Sequence, residues 1–436
     1  MIRTLATAVS RLVLRVFYRN VEAAGLDRVP AAGPTILVLN HPNGLMDPLL
    51  LLCLSPRPVS FLAKSPLFTM PFVSLFVKAF DSIPVYRPQD ADADVRRNRE
   101  TFAKAREMLK RGGVLALFPE GVSHDEPRLM PLKSGAARIA LGAAAEGAVT
   151  VVPAGLTYEA RDLFRSSALL HVAEPFTVEP IPLDEKGEPP RTAVKALTER
   201  LREALEGATL QADDAATLEL AAFAESLLPA GDGSLEARVA VRRLLLERAA
   251  LLRDRAPERL AALVARLERF RAILTAARLA PGALDSGASR AELAASTLAA
   301  LLVALFLAPP ALLGLLAHAP AYNLVGPLAK RLSRGNTDIV ATIKVLGAFL
   351  FFPLTWIALG TAAGLAWGLP LGLLTGLALP VLGYLALLLL ERWEATVAAL
   401  RALGLALVRR PALARLRAER ESLVAEMAAL DAECRV

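Results

Sequence analysis

Residues 35–54 read TILVLNHPNGLMDPLLLLCL and place a β-rich run, a Pro-Asn-Gly turn and the start of an apolar helix in direct succession. Short β-rich runs recur downstream, and stretches with helical character separate them. The predicted strands are 35–40, 59–63, 83–87, 114–118, 149–155 and 169–173, and the predicted helices are 47–54, 94–111 and 134–147. Strands that alternate with helices predict an α/β domain with a central, mostly buried sheet over residues 25–185.

A histidine and an aspartate stand on either side of the turn in this stretch. His41 follows the predicted strand at a position where functional side chains are commonly presented, and Asp47 precedes Pro48. Asp-Pro is also an ordinary helix start, with Asp47 as the N-cap. A turn followed by a cap can bring the carboxylate back to the imidazole and leave the second ring nitrogen free to accept a proton. We therefore predict that His41 and Asp47 form a dyad that acts as a general base toward an alcohol.

A second polar cluster, PEGVSHD, follows the strand predicted at 114–118. Gly121 permits a tight turn, and Glu120 is placed where its carboxylate can anchor the loop or bind a substrate hydroxyl. Ser123 suggests the G-x-S-x-G elbow of serine hydrolases, but Asp125 replaces the final glycine of that motif.

Two cations occupy comparable positions after strands. Arg87 ends the predicted strand 83–87, and Lys133 precedes a helix whose amino end suits a phosphate. An isolated basic residue is most often a solvated charge, but two cations at such positions predict a phosphate site.

The overall composition argues against nucleic-acid binding and against a metal centre. The net charge is +7, yet the sequence has neither zinc-finger spacing nor a basic stripe with interleaved aromatic residues. Cys53 and Cys434 form no disulfide framework or metal spacing, and the four histidines include no H-E-x-x-H motif. We therefore expect no metal, no resident cofactor and no nucleic-acid partner.

Apolar segments near the carboxyl end predict an integral membrane protein. The chain is 54% hydrophobic, and residues 346–390 contain no charged side chain, which is enough for two spans joined near Gly368 and Pro370. Residues 293–317 are interrupted by Pro309-Pro310 and predict a kinked span or a re-entrant hairpin within a membrane region at 291–392. Residues 1–24 have apolar side chains at helical spacing and predict a helix on the membrane surface, with a core helix as the alternative.

The remaining segments are rich in charged helix. Residues 186–290 predict a helical region without a fixed repeat, and 393–436 predict a basic helix, either coiled or lying on the membrane. Basic residues flank 346–390 on both sides, so the positive-inside rule places these flanks, and the active site, on the cytoplasmic face.

Four blocks of the sequence resemble the glycerolipid acyltransferase family (the lysophosphatidate acyltransferase-like group). They are NHPNGLMDP, IPVYR, FPEGVSH with PLKSG, and VVPAGLTY, in the order of that family, and the resemblance extends over about residues 25–180. It implies that His41 and Asp47 are the catalytic dyad and that Arg87, Glu120 and Gly121 contribute to acceptor binding. We extend the acceptor site to Ser123, His124 and Lys133. The resemblance also implies that the fourth block, Val152, Pro153 and Ala154, shapes the acyl-donor site.

Two departures from the usual family pattern resemble the branch of glycerol-3-phosphate and dihydroxyacetone-phosphate acyltransferases. Five residues rather than four separate His41 from Asp47, and the third block continues Val122-Ser123-His124-Asp125 rather than Thr-Arg-Ser. The stretch 337–344, TDIVATIK, resembles the same branch. This favours acylation of glycerol-3-phosphate to lysophosphatidate over acylation of lysophosphatidate to phosphatidate.

The predicted reaction is direct acyl transfer from acyl-CoA or acyl-carrier protein as co-substrate, with the lipid bilayer receiving the product. Two other classes stay open: a thioester hydrolase, for which a phosphate site has no use, and a non-catalytic membrane scaffold, which has no use for a His-Asp pair. The sequence leaves the acceptor, the donor thioester, the chain-length preference and the oligomeric state undetermined.

Overall fold

The computed structural model of the chain describes residues 2–70, 73–87, 97–229, 233–284, 290–333, 340–408 and 410–434. The chain divides into two compact units. The first comprises Met1–Ala215, Gly233–Ala240 and Gly335–Thr342, and the second comprises Ala216–Asp232, Val241–Arg334 and Ile343–Val436.

The first unit is built on one mixed sheet. Its strands are β1 (Asn20–Ala24), β2 (Thr35–Leu39), β3 (Val59–Lys64), β4 (Ile83–Val85), β5 (Val114–Leu117), β6 (Val149–Tyr158), β7 (Ser167–Val172) and β8 (Phe176–Val178). The strand order is β1-β7-β6-β2-β5-β3-β4, with β8 paired to β6 beside β7. The five strands from β6 to β4 are mutually parallel, whereas β7 and β8 run antiparallel to β6. Carboxyl ends of parallel strands meet at one edge of a sheet, and ligands bind there.

Six helices accompany this sheet in the described residues: α1 (Ile2–Phe17), α2 (Met46–Leu54), α3 (Val73–Ala79), α4 (Asn98–Lys110), α5 (Gly135–Ala144) and α6 (Arg191–Ala208). One apolar cluster joins α4, α5 and α6 to alternate residues of the central strands, among them Ile36 and Val38. Their neighbours Leu37 and Leu39 are equally buried, so β2 is covered on both faces. A strand covered on both faces requires an unbroken apolar run, and TILVL provides it.

The predicted α/β class is confirmed, with differences at the edges of the sheet. All six predicted strands are present, whereas β1 and β8 were not predicted. Both lie outside the central parallel set, and β8 has only three residues, too short for a clear periodic pattern. The residues of the predicted helix 94–111 that precede 97 lie outside the described part of the chain.

Helix α1 has two apolar faces, so both interpretations of residues 1–24 receive support. Val13, Leu14 and Phe17 are buried, as in a core helix, whereas Leu5 and Leu12 are 67% and 60% exposed. The exposed face is the one available to a membrane surface.

The second unit is helical. Its elements are α7 (Ala215–Leu227), α8 (Leu235–Arg255), α9 (Pro257–Ala276), α10 (Arg290–Ser333), α11 (Val340–Trp367), α12 (Leu369–Val408) and α13 (Arg410–Cys434), the first residues of α7, α8 and α11 belonging to the first unit. Among the described residues, three segments are long and apolar enough to cross a membrane: Leu301–Ser333, Val340–Trp367 and Leu369–Trp393. Helices α11 and α12 meet at Gly368, the junction predicted for 346–390.

Residues 293–317, predicted as a kinked span or a re-entrant hairpin, lie in one continuous helix that contains the candidate span Leu301–Ser333. Helix α10 runs without interruption through Pro309 and Pro310, and also through Pro320 and Pro327. Apolar helices tolerate proline where neighbouring elements and local adjustments satisfy the freed backbone groups. Helix α10 contacts α12 along its length, so it has such a neighbour.

The boundary predicted at residue 393 coincides with the end of the candidate span Leu369–Trp393, whereas helix α12 itself continues to Val408. Helix α13 packs against α9. Leu423, Met427 and Leu430 share an apolar cluster with Leu267 and Phe270 of α9. Spacings of three and four residues place these side chains on one face, which α9 covers.

Candidate active site

The imidazole of His41 and the carboxylate of Asp47 are in direct contact at the carboxyl end of β2. His41 Nδ1 lies 2.8 Å from Asp47 Oδ2. The His41 side chain is 17% exposed, and its ring stacks on Phe118 with the centroids 4.1 Å apart. The Nδ1 atom therefore carries the proton donated to Asp47, and Nε2 is the nitrogen that can accept one.

Asp47 is not the N-cap that its sequence position suggests. Helix α2 begins at Met46 after Leu45, so Asp47 lies inside the first turn, completely buried. Its Oδ2 also accepts a hydrogen bond from the main-chain nitrogen of Asn43 at 2.8 Å. The carboxylate thus stabilises the turn 41–46 as well as the imidazole.

The second oxygen of Asp47 is bound by a tyrosine from another strand. Tyr158, the last residue of β6, donates its hydroxyl to Asp47 Oδ1. Burial raises the pKa of the Asp47 carboxyl, while the hydrogen bonds from His41, Tyr158 and Asn43 act in the opposite direction. Burial also raises the pKa of Tyr158 well above its ordinary value, so the phenol keeps its proton and donates it.

Glu120 holds the loop after β5 against the turn after β2. Its Oε1 accepts the main-chain N–H of His41 at 2.9 Å, and its Oε2 accepts that of Met130 at 2.8 Å. The same Oε2 contacts His124 Nε2, and the side chain is buried. Of the two roles predicted for Glu120, the structure shows the anchor, because both oxygens are engaged within the protein.

The two predicted phosphate-binding cations converge on Gly121. Arg87 Nη1 donates to the Gly121 carbonyl at 3.0 Å, and a Cβ on Gly121 would lie 3.5 Å from Cγ of Lys133. Gly121 has a φ of 75°, a left-handed conformation that favours glycine. Lys133 is exposed and Arg87 is partly buried, so the loop brings together two cations from distant parts of the sequence.

The other predicted acceptor residues lie in the same loop. Ser123 and His124 are partly buried, and the main-chain nitrogen of His124 donates to the His41 carbonyl at 3.1 Å. The His124 Nδ1 atom is buried and has no hydrogen-bond partner among the described residues.

Val152, Pro153 and Ala154 lie inside the sheet. They pair in register with Leu37, Val38 and Leu39 of β2, and all three are buried. Their predicted role in the acyl-donor site stays a prediction, and in this structure they position β6 beside the strand that presents His41.

Four polar residues of this region were not predicted: Asn40, Asn43, Tyr158 and Arg161. Asn40 pairs through its side-chain amide with both main-chain groups of Leu156, which extends the β2–β6 pairing by one step. Asn43 Nδ2 donates to the Arg161 carbonyl at 3.0 Å, and Arg161 Nη1 to the His124 carbonyl at 3.2 Å. The two-residue alternation of a strand could have indicated Tyr158, because it places this side chain on the same face as Ala154 and Leu156.

Comparison with known proteins identifies the same part of the chain. Residues 20–157 match the family model described as Acyltransferase. A glycerol-3-phosphate O-acyltransferase of Saccharomyces cerevisiae (number 2) is 40% identical over 124 residues, which cover 28% of this chain and 17% of that protein. Glycerol-3-phosphate O-acyltransferase 1 of the same yeast is 24% identical over 304 residues, covering 49% of this chain and 40% of the relative.

A chloroplastic 1-acyl-sn-glycerol-3-phosphate acyltransferase of Brassica napus is 30% identical over 138 residues, covering 31% of this chain and 37% of that protein. The chain therefore spans less than half the length of each of these relatives. The crystal structure of a 1-acyl-sn-glycerophosphate acyltransferase from Thermotoga maritima aligns over 47% of this chain and 78% of that chain, with 20% identity and a TM-score of 0.35.

Proposed function

We propose that this chain, whose residues 20–157 form a domain of the glycerolipid acyltransferase family, transfers a fatty acyl group to a hydroxyl of glycerol-3-phosphate. The donor in this proposal is acyl-CoA or acyl-carrier protein, and the product is lysophosphatidate. Two yeast relatives with glycerol-3-phosphate O-acyltransferase in their names support the choice of acceptor.

The contact between His41 and Asp47 is the observation that carries the proposal. With Nδ1 held by Asp47, His41 Nε2 removes the proton of the acceptor hydroxyl. The acceptor oxygen then attacks the thioester carbonyl, a carbon–oxygen bond forms, and the carbon–sulfur bond breaks. The departing thiolate takes the proton back from the imidazolium, so no covalent intermediate on the protein is required.

The cations beside Gly121 provide the acceptor site in this proposal. A phosphate monoester carries nearly two negative charges at neutral pH, and Arg87 with Lys133 can neutralise them. Arg87 bonds the Gly121 carbonyl, and Lys133 lies beside Gly121. The neighbouring residue Glu120 binds the main chain of His41, so the phosphate site and the base are held by the same loop.

A second candidate acceptor is 1-acylglycerol-3-phosphate, which would give phosphatidate. The observation in its favour is the name of the plant relative, which is 30% identical over the acyltransferase segment. Both acceptors present a phosphate and a free hydroxyl, so the same residues serve either reaction.

The proposal also places the active site at a cytoplasmic membrane surface. Three apolar helices long enough to cross a bilayer and the exposed apolar face of α1 support attachment to lipid. A fatty acyl donor and a lipid product both favour chemistry at that surface.

The test is an acyl-transfer assay with the purified full chain in detergent or reconstituted vesicles. Radiolabelled acyl-CoA and acyl-carrier protein are each offered with glycerol-3-phosphate, dihydroxyacetone phosphate or lysophosphatidate. Label is expected in lysophosphatidate from glycerol-3-phosphate. Free fatty acid formed at the same rate without an acceptor would instead identify a thioester hydrolase.

The matched control is His41→Ala, which removes the base. Because a general base contributes a factor of about a hundred to ten thousand, transfer should fall by at least a hundredfold while the protein still folds. Asp47→Asn should lose nearly as much, because an amide does not stabilise an imidazolium. If His41→Ala keeps more than about a tenth of the wild-type rate, the assignment of the dyad is wrong.

A further inference from the structure

We propose that Tyr158 is a positioning residue for the transfer reaction, holding Asp47 as an oriented, ionised partner of His41. This inference rests on the proposed function, and it adds a third side chain, from a different strand, to the dyad.

The Asp47 carboxylate accepts three hydrogen bonds, two at one oxygen and one at the other. Oδ2 receives His41 Nδ1 and the Asn43 main-chain N–H, both at 2.8 Å. Oδ1 receives the Tyr158 hydroxyl, and no other donor to this oxygen is found among the described residues. Tyr158 therefore prevents rotation of the carboxylate away from the imidazole and satisfies the oxygen that the turn does not reach.

Burial makes this contact necessary for the charged form. Asp47 has no exposed surface, so its ionised state depends on hydrogen bonds in place of water. When His41 takes the proton of the acceptor hydroxyl, the resulting imidazolium requires a carboxylate beside it. A carboxyl that lost one of its three donors would hold its own proton more tightly and would stabilise the imidazolium less.

The position of Tyr158 is rigid. Strand β6 pairs with β2 on one side, as far as Ala154 opposite Leu39. On its other side β6 pairs with β7, where Tyr158 lies opposite Ala168. The Tyr158 ring also stacks on Tyr18, with the centroids 5.7 Å apart. A functional contact built on a paired strand and a packed ring holds its geometry better than one built on a loop.

Tyr158→Phe tests the inference, and Tyr384→Phe, on α12 of the second unit, is the control. Each change removes one phenol hydroxyl, but in the described part of the chain only that of Tyr158 bonds Asp47. Since a hydrogen bond to a charged group is involved, Tyr158→Phe is expected to lower kcat by about tenfold or more, with the acceptor KM unchanged. Tyr384→Phe is expected to keep the wild-type kcat.

A spectroscopic measurement provides a readout independent of catalysis. The chain has four histidines, so protein carrying ¹⁵N in the imidazole rings gives few signals, and His41→Gln identifies the one from His41. The downfield Nδ1–H signal of the His41–Asp47 hydrogen bond should shift or broaden in Tyr158→Phe and stay unchanged in Tyr384→Phe. If no acceptor is acylated by the wild type, the proposed function fails, and this measurement still decides the role of Tyr158.

Two unnatural residues at position 158 separate a positioning role from packing. 4-Methylphenylalanine keeps the shape of tyrosine without a donor, and 4-aminophenylalanine keeps both shape and donor. The inference requires low kcat with the methyl group and recovery of most of it with the amino group, in proteins of equal thermal stability. Equal kcat for these two variants, or an unchanged His41 signal in Tyr158→Phe, would overturn it.

Discussion

At the residue scale, the site contains two carboxylate–histidine pairs with different tasks. Asp47 directs its carboxylate to His41 within one turn of chain, whereas Glu120 contacts His124 and also binds the main chain of His41. The second pair therefore sets the position of the first. A substitution at Glu120 should disturb the base indirectly, through the main chain of its loop.

The cations allow a prediction about substrate affinity. Arg87→Ala and Lys133→Ala should each raise the KM for the phosphorylated acceptor and leave the KM for the acyl donor almost unchanged, because of the two substrates only the acceptor is proposed to bind these cations. Initial rates with one substrate varied at a time measure both constants. Arg138→Ala is a suitable control, since that side chain pairs with Glu188. Unchanged acceptor constants in both cation variants would remove phosphate binding from their role.

The burial of Asp47 allows a prediction about pH. Burial raises the pKa of this carboxyl above the ordinary aspartate value of about 3.9. As the pH falls through that raised pKa, Asp47 takes up a proton and activity declines. In the window between the two pKa values the folded state binds this proton more tightly than the unfolded chain does, so its uptake favours folding.

Activity should therefore disappear on acidification while the protein stays folded, and it should return when the pH is restored. Profiles of kcat and of circular dichroism against pH, recorded on the same samples, measure the two processes. Loss of activity only together with loss of structure would contradict the prediction.

At the element scale, the site is assembled from the carboxyl ends of parallel strands. β2 presents His41, β5 presents Glu120, and β4 presents Arg87, so residues that follow three parallel strands meet at one edge. The sheet that carries these residues also depends on the close packing of helix α6 against strand β6, where the two backbones approach each other directly.

Gly155 is the residue that permits this approach. A Cβ at Gly155 would lie 2.1 Å from the Ala208 carbonyl oxygen at the end of α6, so Gly155→Ala must displace the helix or the strand. Overpacking of this kind costs about 1–3 kcal/mol. Gly207→Ala is the control, because its Cβ meets nothing within 4 Å and alanine favours a helix over glycine by about 0.5–1 kcal/mol. Thermal unfolding in detergent should show a lower Tm for the first variant and an equal or higher Tm for the second.

At the scale of the whole molecule, hydrogen bonds and packing restrict the membrane topology. The main-chain nitrogen of Leu45 donates to Thr342 Oγ1 at 3.1 Å, which places the start of α11 beside the His41 turn. Helix α13 is held to α9 by ion pairs, including Arg266–Glu419 and Arg259–Glu433. No candidate span precedes Leu301 in the described residues. Both ends of the α11–α12 pair should therefore lie on one side of the membrane.

Helices α11 and α12 should cross as a pair that turns at Gly368. Single cysteines at Asn336, Leu369 and Ser422, in a variant lacking Cys53 and Cys434, are treated with an impermeant maleimide in sealed, right-side-out cells. Asn336 lies outside the described residues and between α10 and α11 in sequence.

Only the cysteine at Leu369 should be labelled in sealed cells, and all three should be labelled after permeabilisation. Labelling at Asn336 in sealed cells would place the start of α11 on the outer side, and the arrangement inferred from the Leu45–Thr342 hydrogen bond would have to be abandoned.

The sequence by itself determined the class of the fold and the pairing of His41 with Asp47. Unbroken apolar runs such as TILVL require a strand buried on both faces, and the turn after it presents His41 and Asp47 within seven residues. These features are local, so the order of residue types is enough to predict them. The same holds for the helix junction at Gly368.

Only the tertiary structure decided which distant side chains complete the site. Tyr158 is 111 positions from Asp47, and Thr342 is 297 positions from Leu45, so their contacts depend on strand pairing and chain path rather than local pattern. The anchoring role of Glu120 likewise depends on where His41 and Met130 come to lie. The prolines of α10 do not end the helix, because a neighbouring helix, and not the local sequence, determines whether an apolar helix continues past proline.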